Sequence, residues 1–501
     1  MKLKVKRLNI STQGHNVCLI NSEEAKELHI KNFDRLSIKK GTKEIFAVVD
    51  INHTHHFIKK GEIGLFDETY EEITSKSSRK PLYVDINVAQ RPFSLNLIEK
   101  KLNGIKLSDS EIYSIVSETM SSKLSEVEIA HFISGCYSSG LSDVEIISLT
   151  NSFLNTGNII KFDRYPLVNL SFSGAYSHSI LYLIASVISS LRIGFVCDLD
   201  SDPLIPGNSR SIFNAFGMLY NSVEDSEKSL KKVSSCFILG KENLTSPVSY
   251  KLDSIEHPFS IFSDGLYVAS SLSRSKSVSP SNSFVCLIYG PGRKIKDINH
   301  AKKLKKLFEK ISGKVRMKSH IILVDGSFIW ERSFGPSNEA SDIINALKME
   351  ESLSDLRNMA INIAGEILTA LGKRNGKRLA SEIICSGQAY SQFRKILASN
   401  SSKYSESKFD TYDSSHISGL KSFDIKSHKT GFVSNIDGLN LIKCALISGA
   451  SSNLVSGIRW HKNRHDRVAL GEKIITITSS SESSINSVRD FIKNNSVIHI
   501  T

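Results

Sequence analysis

The 501-residue chain has no apolar run of the ~18–20 residues that a membrane-crossing helix requires. The longest candidate, Ile180 to Leu191, is short and is interrupted by Tyr182, Ser186, Ser189 and Ser190. A secretion signal is missing too: MKLKVKRLNI alternates lysine with apolar residues, as a strand does, so a cytoplasmic protein with no membrane partner is expected. Cysteine is scarce. The seven (18, 136, 197, 236, 286, 385 and 444) are odd in number, widely spaced and never in a CxxC pair. That argues against a disulfide framework or a zinc ribbon and leaves buried, reduced thiols. The signatures GxxxxGK[ST], HExxH and GxSxG are absent, and Gly290-Pro291-Gly292 alone carries no assignment. Acidic residues are in deficit, 51 against 64 basic, and the net charge of +13 favours acidic partners such as nucleotides or nucleic acid. Part of that excess is ordinary solvation: Lys302, Lys303, Lys305, Lys306 and Lys310 surround Leu304, Leu307 and Phe308 as on an amphipathic helix.

What is present suits a globular protein: 40% hydrophobic and 23% charged residues, enough for two to four domains. The expected fold is multidomain α/β plus α. Residues 1–86 (LKVKRLNI, NVCLI, RLSIK, EIFAVVDI) predict a small β-rich domain. Residues 87–160, with a further segment near 205–235, predict a helical domain. Its signature is three capping boxes, Ser108 with Glu111, Ser125 with Glu128, and Ser142 with Glu145, each followed by apolar residues at helical spacing. Residues 161–400 predict a central α/β domain with a mostly parallel sheet, because Phe284 to Tyr289 and Ile321 to Val324 are continuously apolar. A helix opened by Asp297 and closed near Gly313 lies between them, and another runs from Ser354 to Leu371. Residues 401–501 predict a linker (the polar stretch is roughly 399–427) and a C-terminal α+β domain.

The order of KKLNGIKLSDSEI, LSEVEIAHFISG and LSDVEIISLTNSFLNTG resembles the helical domain of the nucleoside phosphorylase family, which includes pyrimidine and AMP phosphorylases. The resemblance continues through GPGRKIKD, DGSFIWERSFGPSNEA, GFVSNIDGLNLIKCALISGA, Gly471-Glu472-Lys473 and, at the N-terminus, Gly61 to Leu65. It covers nearly the whole chain, and the extra N-terminal domain is similar to the archaeal AMP phosphorylase branch. It implies phosphorolysis without a cofactor: phosphate attacks the anomeric carbon of a nucleoside or nucleotide and the base departs. It also implies a homo-oligomer and a cleft between helical and α/β parts that closes by hinge motion. Such chemistry needs cations, hydroxyls and backbone N–H groups around the phosphate dianion, and an acid for the departing base.

The sequence departs from the family at those positions. The family's D-K-H-S-x-G-G turn reads Asn169, Leu170, Ser171, Phe172, Ser173, Gly174, Ala175, and the following G-N-K-T-T stretch shortens to Ser177-His178-Ser179. The S-S-R-A-I-T-S segment falls on Asp198 to Leu204, so its arginine becomes Asp200, and the acidic residue of G-T-A-D becomes Arg210. The acid of P-L-S-I-D becomes Phe262, with Asp264 nearby as the one candidate substitute. By family position the ligand contacts are Gly174, Asp200, Ser201, Asn208, Ser270 and Lys294. Charge-assisted hydrogen bonds contribute on the order of 1.5–3 kcal/mol each, so losing a lysine and an arginine and gaining an aspartate weakens phosphate holding by about four powers of ten.

Three further constellations stand out. Asp198, Asp200 and Asp202 would share one face of an extended segment and could attract a cation, against the plainer reading of a solvated loop. His53, His55 and His56 with Asp50 have the look of a metal tract, but the related proteins have a surface loop there, so no metal site is expected. Arg459, His461, Lys462, Arg464, His465 and Arg467 flank Trp460 in an expected hairpin that could grip nucleic acid, or else serve assembly. The leading expectation is a pseudoenzyme kept for binding or assembly, as a homo-oligomer or with an active paralogue. The alternatives are a working phosphorylase that uses Lys294, Ser270 and Asp264, and a nucleotide- or nucleic-acid-binding module.

Overall fold

A computed structural model describes residues 1–12, 16–54, 57–74, 81–162, 166–173, 177–199, 205–218, 222–238, 246–256, 262–291, 293–400 and 421–501. The chain divides into two compact units: Met1–Ser152 with Pro247–Pro258, and Phe153–Ser246 with Phe259–Thr501.

In the first unit, short strands rich in apolar residues build a closed barrel. Its strands are β1 (Lys2–Arg7), β2 (Val17–Asn21), β3 (Arg35–Lys40), β4 (Lys43–Asn52), β5 (Glu62–Leu65) and β6 (Tyr83–Val88), in the order β1-β5-β2-β4-β3-β6. Leu3, Ile20, Ile38, Val49, Ile63 and Ile86 face inward, and closure leaves no unpaired edge. Helices Ser94–Leu102, Asp109–Met120, Glu126–Ser139 and Asp143–Thr156 follow. All three capping boxes are formed: the hydroxyls of Ser108, Ser125 and Ser142 accept the N–H of Glu111, Glu128 and Glu145, whose carboxylates return to the cap N–H. Glu145 also holds the buried Lys101 ammonium at 2.8 Å and accepts the Leu107 N–H, so this interior ion pair is fully satisfied. Arg35 on β3 joins barrel to helices through Glu128 at 2.6 Å.

The segment that returns to the helices is Pro247–Glu256, which buries Val248, Ser249 and Leu252, and not the one expected near 205–235. Residues 205–235 belong to the second unit, and there is a local reason. Ser234, at φ 58, turns the Val223–Val233 helix straight into β9 (Ser235–Ile238), so Leu230 pairs with that sheet's core.

The second unit is built on a parallel sheet of β7 (Leu167–Ser173), β8 (Gly194–Asp198), β9, β10 (Asn282–Tyr289) and β11 (Ser319–Asp325), in the order β11-β10-β7-β8-β9. The apolar run near 180–191 is a core helix, Ser179–Ser190, with residues 179–189 all buried. Tyr182 on it stacks on Phe237 and meets Phe216 and Phe393 edge-on. Helices Ser354–Ala370, Gly376–Cys385 and Gln388–Asn400 complete this core.

The C-terminal part combines the sheet β12 (Ser333–Phe334), β15 (Gly457–Trp460), β17 (Lys473–Ser479) and β13 (Lys421–Lys426) with β16 (Arg467–Val468), β14 (Gly431–Ile436) and β18 (Ile498–Ile500). Two expectations change here. Lys421–Lys426, assigned to the linker, is a strand whose side chains stay largely outside the core; residues 401–420 lie outside the described residues. Residues 459–467 are not a hairpin: β15 pairs with β12 and β17, whereas β16 pairs with β14.

Candidate functional site

In the strand order β11-β10-β7-β8-β9, the chain moves one way from β7 to β9 and then returns on the other side of β7. A crevice at such a reversal, outside the strand C-termini, is where open parallel sheets bind ligands. Here that place is bounded by the C-terminal ends of β7, β8 and β10.

Along β7 the side chains are committed to packing. Leu170, where the resemblance led us to expect the family's lysine, is 3% exposed and lies inside the main hydrophobic core. Phe172 packs against the same core, its ring 6.5 Å from that of His178. Asn169 is buried, bonded to the Val196 carbonyl at 3.4 Å and to the Ser275 hydroxyl at 3.1 Å. None of these supplies a cation to the crevice.

Beyond β7, Ser177, His178 and Ser179 open the Ser179–Ser190 helix. The Ser177 hydroxyl bonds the carboxyl of Glu339, and His178 Nδ1 accepts the Ser209 N–H at 3.2 Å. Glu339, in the first turn of the Pro336–Leu347 helix, also accepts the Gly335 N–H at 3.1 Å. Its carboxyl is packed so closely against Gly207 that any Cβ there would overlap it. Burial pushes this carboxyl well above the ordinary range, and Glu331 and Asp342 nearby push the same way. Glu339 therefore pins together the segments around Ser177, Gly207 and Gly335, a role for which the sequence offers only an acid within GPSNEA.

The ligand positions expected from the sequence fare unequally. Gly174, Asp200, Ser201 and Asp202 lie outside the described residues. Asn208 serves as a helix cap, accepting the Ser211 N–H at 2.8 Å. Ser270 is buried within the Asp264–Ser277 helix, which packs beneath β7. Lys294 sits half-buried in the turn after β10. Beside it Arg293 is turned inward, donating to the Gly326 carbonyl at 2.9 Å and lying over the Trp330 ring. Asp198 is 3.7 Å from Arg274.

Asp264 is engaged by two partners at 2.9 Å, His300 Nε2 and the Lys303 ammonium. Phe262, where the resemblance led us to expect the family's acid, stacks on His300. Among the described residues no group of His, Cys, Asp and Glu could hold a metal ion; His55 and His56 lie outside them.

The basic run near the C-terminus is also corrected. Trp460 is 2% exposed and packs on Phe334, so it offers no face to a base. Arg459 pairs with buried Asp342 at 2.6 Å and Lys462 with Glu472 at 2.5 Å, while Arg464 donates to the Ser434 carbonyl.

Residues 95–157 match the family described as glycosyl transferase family, helical bundle domain. The AMP phosphorylase of Pyrococcus horikoshii is 30% identical over 499 residues, spanning 97% of this chain and 95% of the relative. The chain belongs to the AMP phosphorylase family. AMP phosphorylase 1 of Archaeoglobus fulgidus is 27% identical over 94% of the chain and 92% of its own length. A putative thymidine phosphorylase of Legionella pneumophila is 24% identical over 98% and 94%. A solved anthranilate phosphoribosyltransferase from Thermus thermophilus superposes with a TM-score of 0.49 at 15% identity, covering 60% of this chain and 98% of that one.

Proposed function

We propose that this member of the AMP phosphorylase family is catalytically impaired in phosphorolysis and is retained for binding or assembly. One observation carries the reading: where the family pattern has a lysine beside the phosphate, Leu170 is sealed in the hydrophobic core. Asp264 adds support, because its carboxylate is already engaged by Lys303 and His300. A phosphate dianion left with fewer cations in a dehydrated crevice is not held against its hydration. We further propose a cytoplasmic protein that assembles with copies of itself or with an active paralogue. Exposed apolar side chains on the helices, among them Tyr113, Val127, Tyr137 and Val144, are surface that such assembly could cover. The test is incubation of purified protein with phosphate and AMP, or a nucleoside panel, and chromatography for free base. No release above the blank is expected; release that Lys294→Ala abolishes overturns the reading. That outcome would favour the second one, a rearranged phosphorylase site using Lys294, Ser270 and Asp264, for which the place of Lys294 directly after β10, beside β7, speaks.

A further inference from the structure

A group of basic residues lies at a place that the strand-end crevice does not use. Lys373, Arg374, Lys377 and Arg378 fall within six positions, on the turn into the Gly376–Cys385 helix, and all four are exposed. The turn is held firmly. Asn375 adopts the left-handed conformation at φ 52, and Gly376 lies so close to the Gly365 carbonyl that a Cβ would collide with it. Arg378 pairs with Glu382 at 2.8 Å; Lys373, Arg374 and Lys377 have no ion pair among the described residues. Three of the four cations at this turn are thus left without a counter-ion among the described residues, a local positive field that favours an anion.

This turn borders a groove of about 1150 Å³ whose walls mix polar, apolar and acidic side chains, among them Asn358, Ile361, Asn362, Ser381 and Glu382. A second cavity of about 760 Å³ shares Asn362, Thr369 and Lys377 with the first and reaches Phe328, past the end of β11. Phe328 is 47% exposed, and its ring stands edge-on to the buried Trp330 at 5.9 Å, which fixes its plane. Asp325 and Glu366 line this second cavity, and Glu382 lines the first, where Arg378 pairs with it; Lys373, Arg374 and Lys377 at the turn are the cations left open to an anion. An anion fits only at the basic end, and a flat neutral ring fits best at Phe328.

We propose that this continuous groove binds a single-stranded nucleic acid, its phosphates along Lys373, Arg374, Lys377 and Arg378 and one base stacked on Phe328. The charge of the basic end matches a polyanion, and the aromatic at the far end requires a base not already stacked in a duplex. This goes beyond the reading of the crevice and needs neither AMP nor phosphate.

The test is fluorescence polarisation of the full chain with a labelled oligouridine of about twelve nucleotides, titrated from about 50 mM salt upward. Wild type should bind with a log–log salt slope of roughly −2 to −3, as expected for four phosphates. Lys373→Ala with Lys377→Ala should flatten the slope by about 1.4 and lower affinity roughly tenfold or more. Phe328→Ala should weaken binding roughly five- to hundredfold and leave the slope unchanged; Phe328→Leu serves if the alanine variant melts early. No binding by wild type at the lowest salt overturns the proposal. So does binding that these variants leave intact, or that Arg459→Ala with Arg464→Ala abolishes instead.

Discussion

Glu331 shows how much a single buried carboxyl can couple folding to pH. It lies next to Trp330 in the interior, and burial pushes its carboxyl from the usual 4.5 up to about 7, with the Arg293 guanidinium pulling the other way. The unfolded chain releases this proton near pH 4.5, whereas the folded protein keeps it to about pH 7. Across that window the folded state binds the extra proton, so its stabilising contribution is intact at acid pH and fades as pH rises toward 7. The full swing is about 3 kcal/mol. Urea midpoints of wild type should therefore decline between about pH 5 and 7.5 more steeply than those of Glu331→Gln. Parallel declines would dismiss the effect. Glu339 behaves similarly, but its role in joining Ser177, Gly207 and Gly335 makes a clean substitution harder to read.

Among the elements, the Asp109–Met120 helix offers the simplest measurement. Ser108→Ala removes the acceptor for the Glu111 N–H and half of the capping box, which should cost about 1 kcal/mol, read as a lower melting temperature. An unchanged melting temperature would mean that water replaces the cap without loss. The capping boxes were readable in the sequence because all their partners lie within four residues. β10 and β11 were readable for a related reason, since a strand covered on both faces has only apolar residues to show. Trp460 was not. Its burial depends on β12, more than a hundred residues away in the chain, and its neighbours Arg459 and His461 disguise it as a surface residue. Lys421–Lys426 has no apolar alternation to reveal it as a strand; only pairing with β17 makes it one. At β7, the resemblance set Leu170 where a lysine was expected, but its place inside the core and the engagement of Asp264 by a neighbouring helix required the fold.

At the scale of the molecule, the first unit is discontinuous in the chain, closed by Pro247–Glu256. A fragment of residues 1–152 leaves bare the surface that covers Val248 and Leu252, worth about 3–5 kcal/mol of apolar burial. It should melt well below the same fragment with 247–258 attached through a flexible linker; equal melting would show that the returning helix contributes nothing. The distribution of sulfur has a practical outcome. Cys18, Cys136, Cys197, Cys236, Cys286 and Cys444 are buried, and burial pushes their thiols up; Cys385 alone is exposed. A maleimide, which reacts with accessible thiolate, should attach once per native chain and seven times in denaturant, as mass spectrometry can count. The dye would sit at the far end of the Gly376–Cys385 helix, about 14 Å along its axis from the basic turn, a built-in optical reporter of whatever settles there.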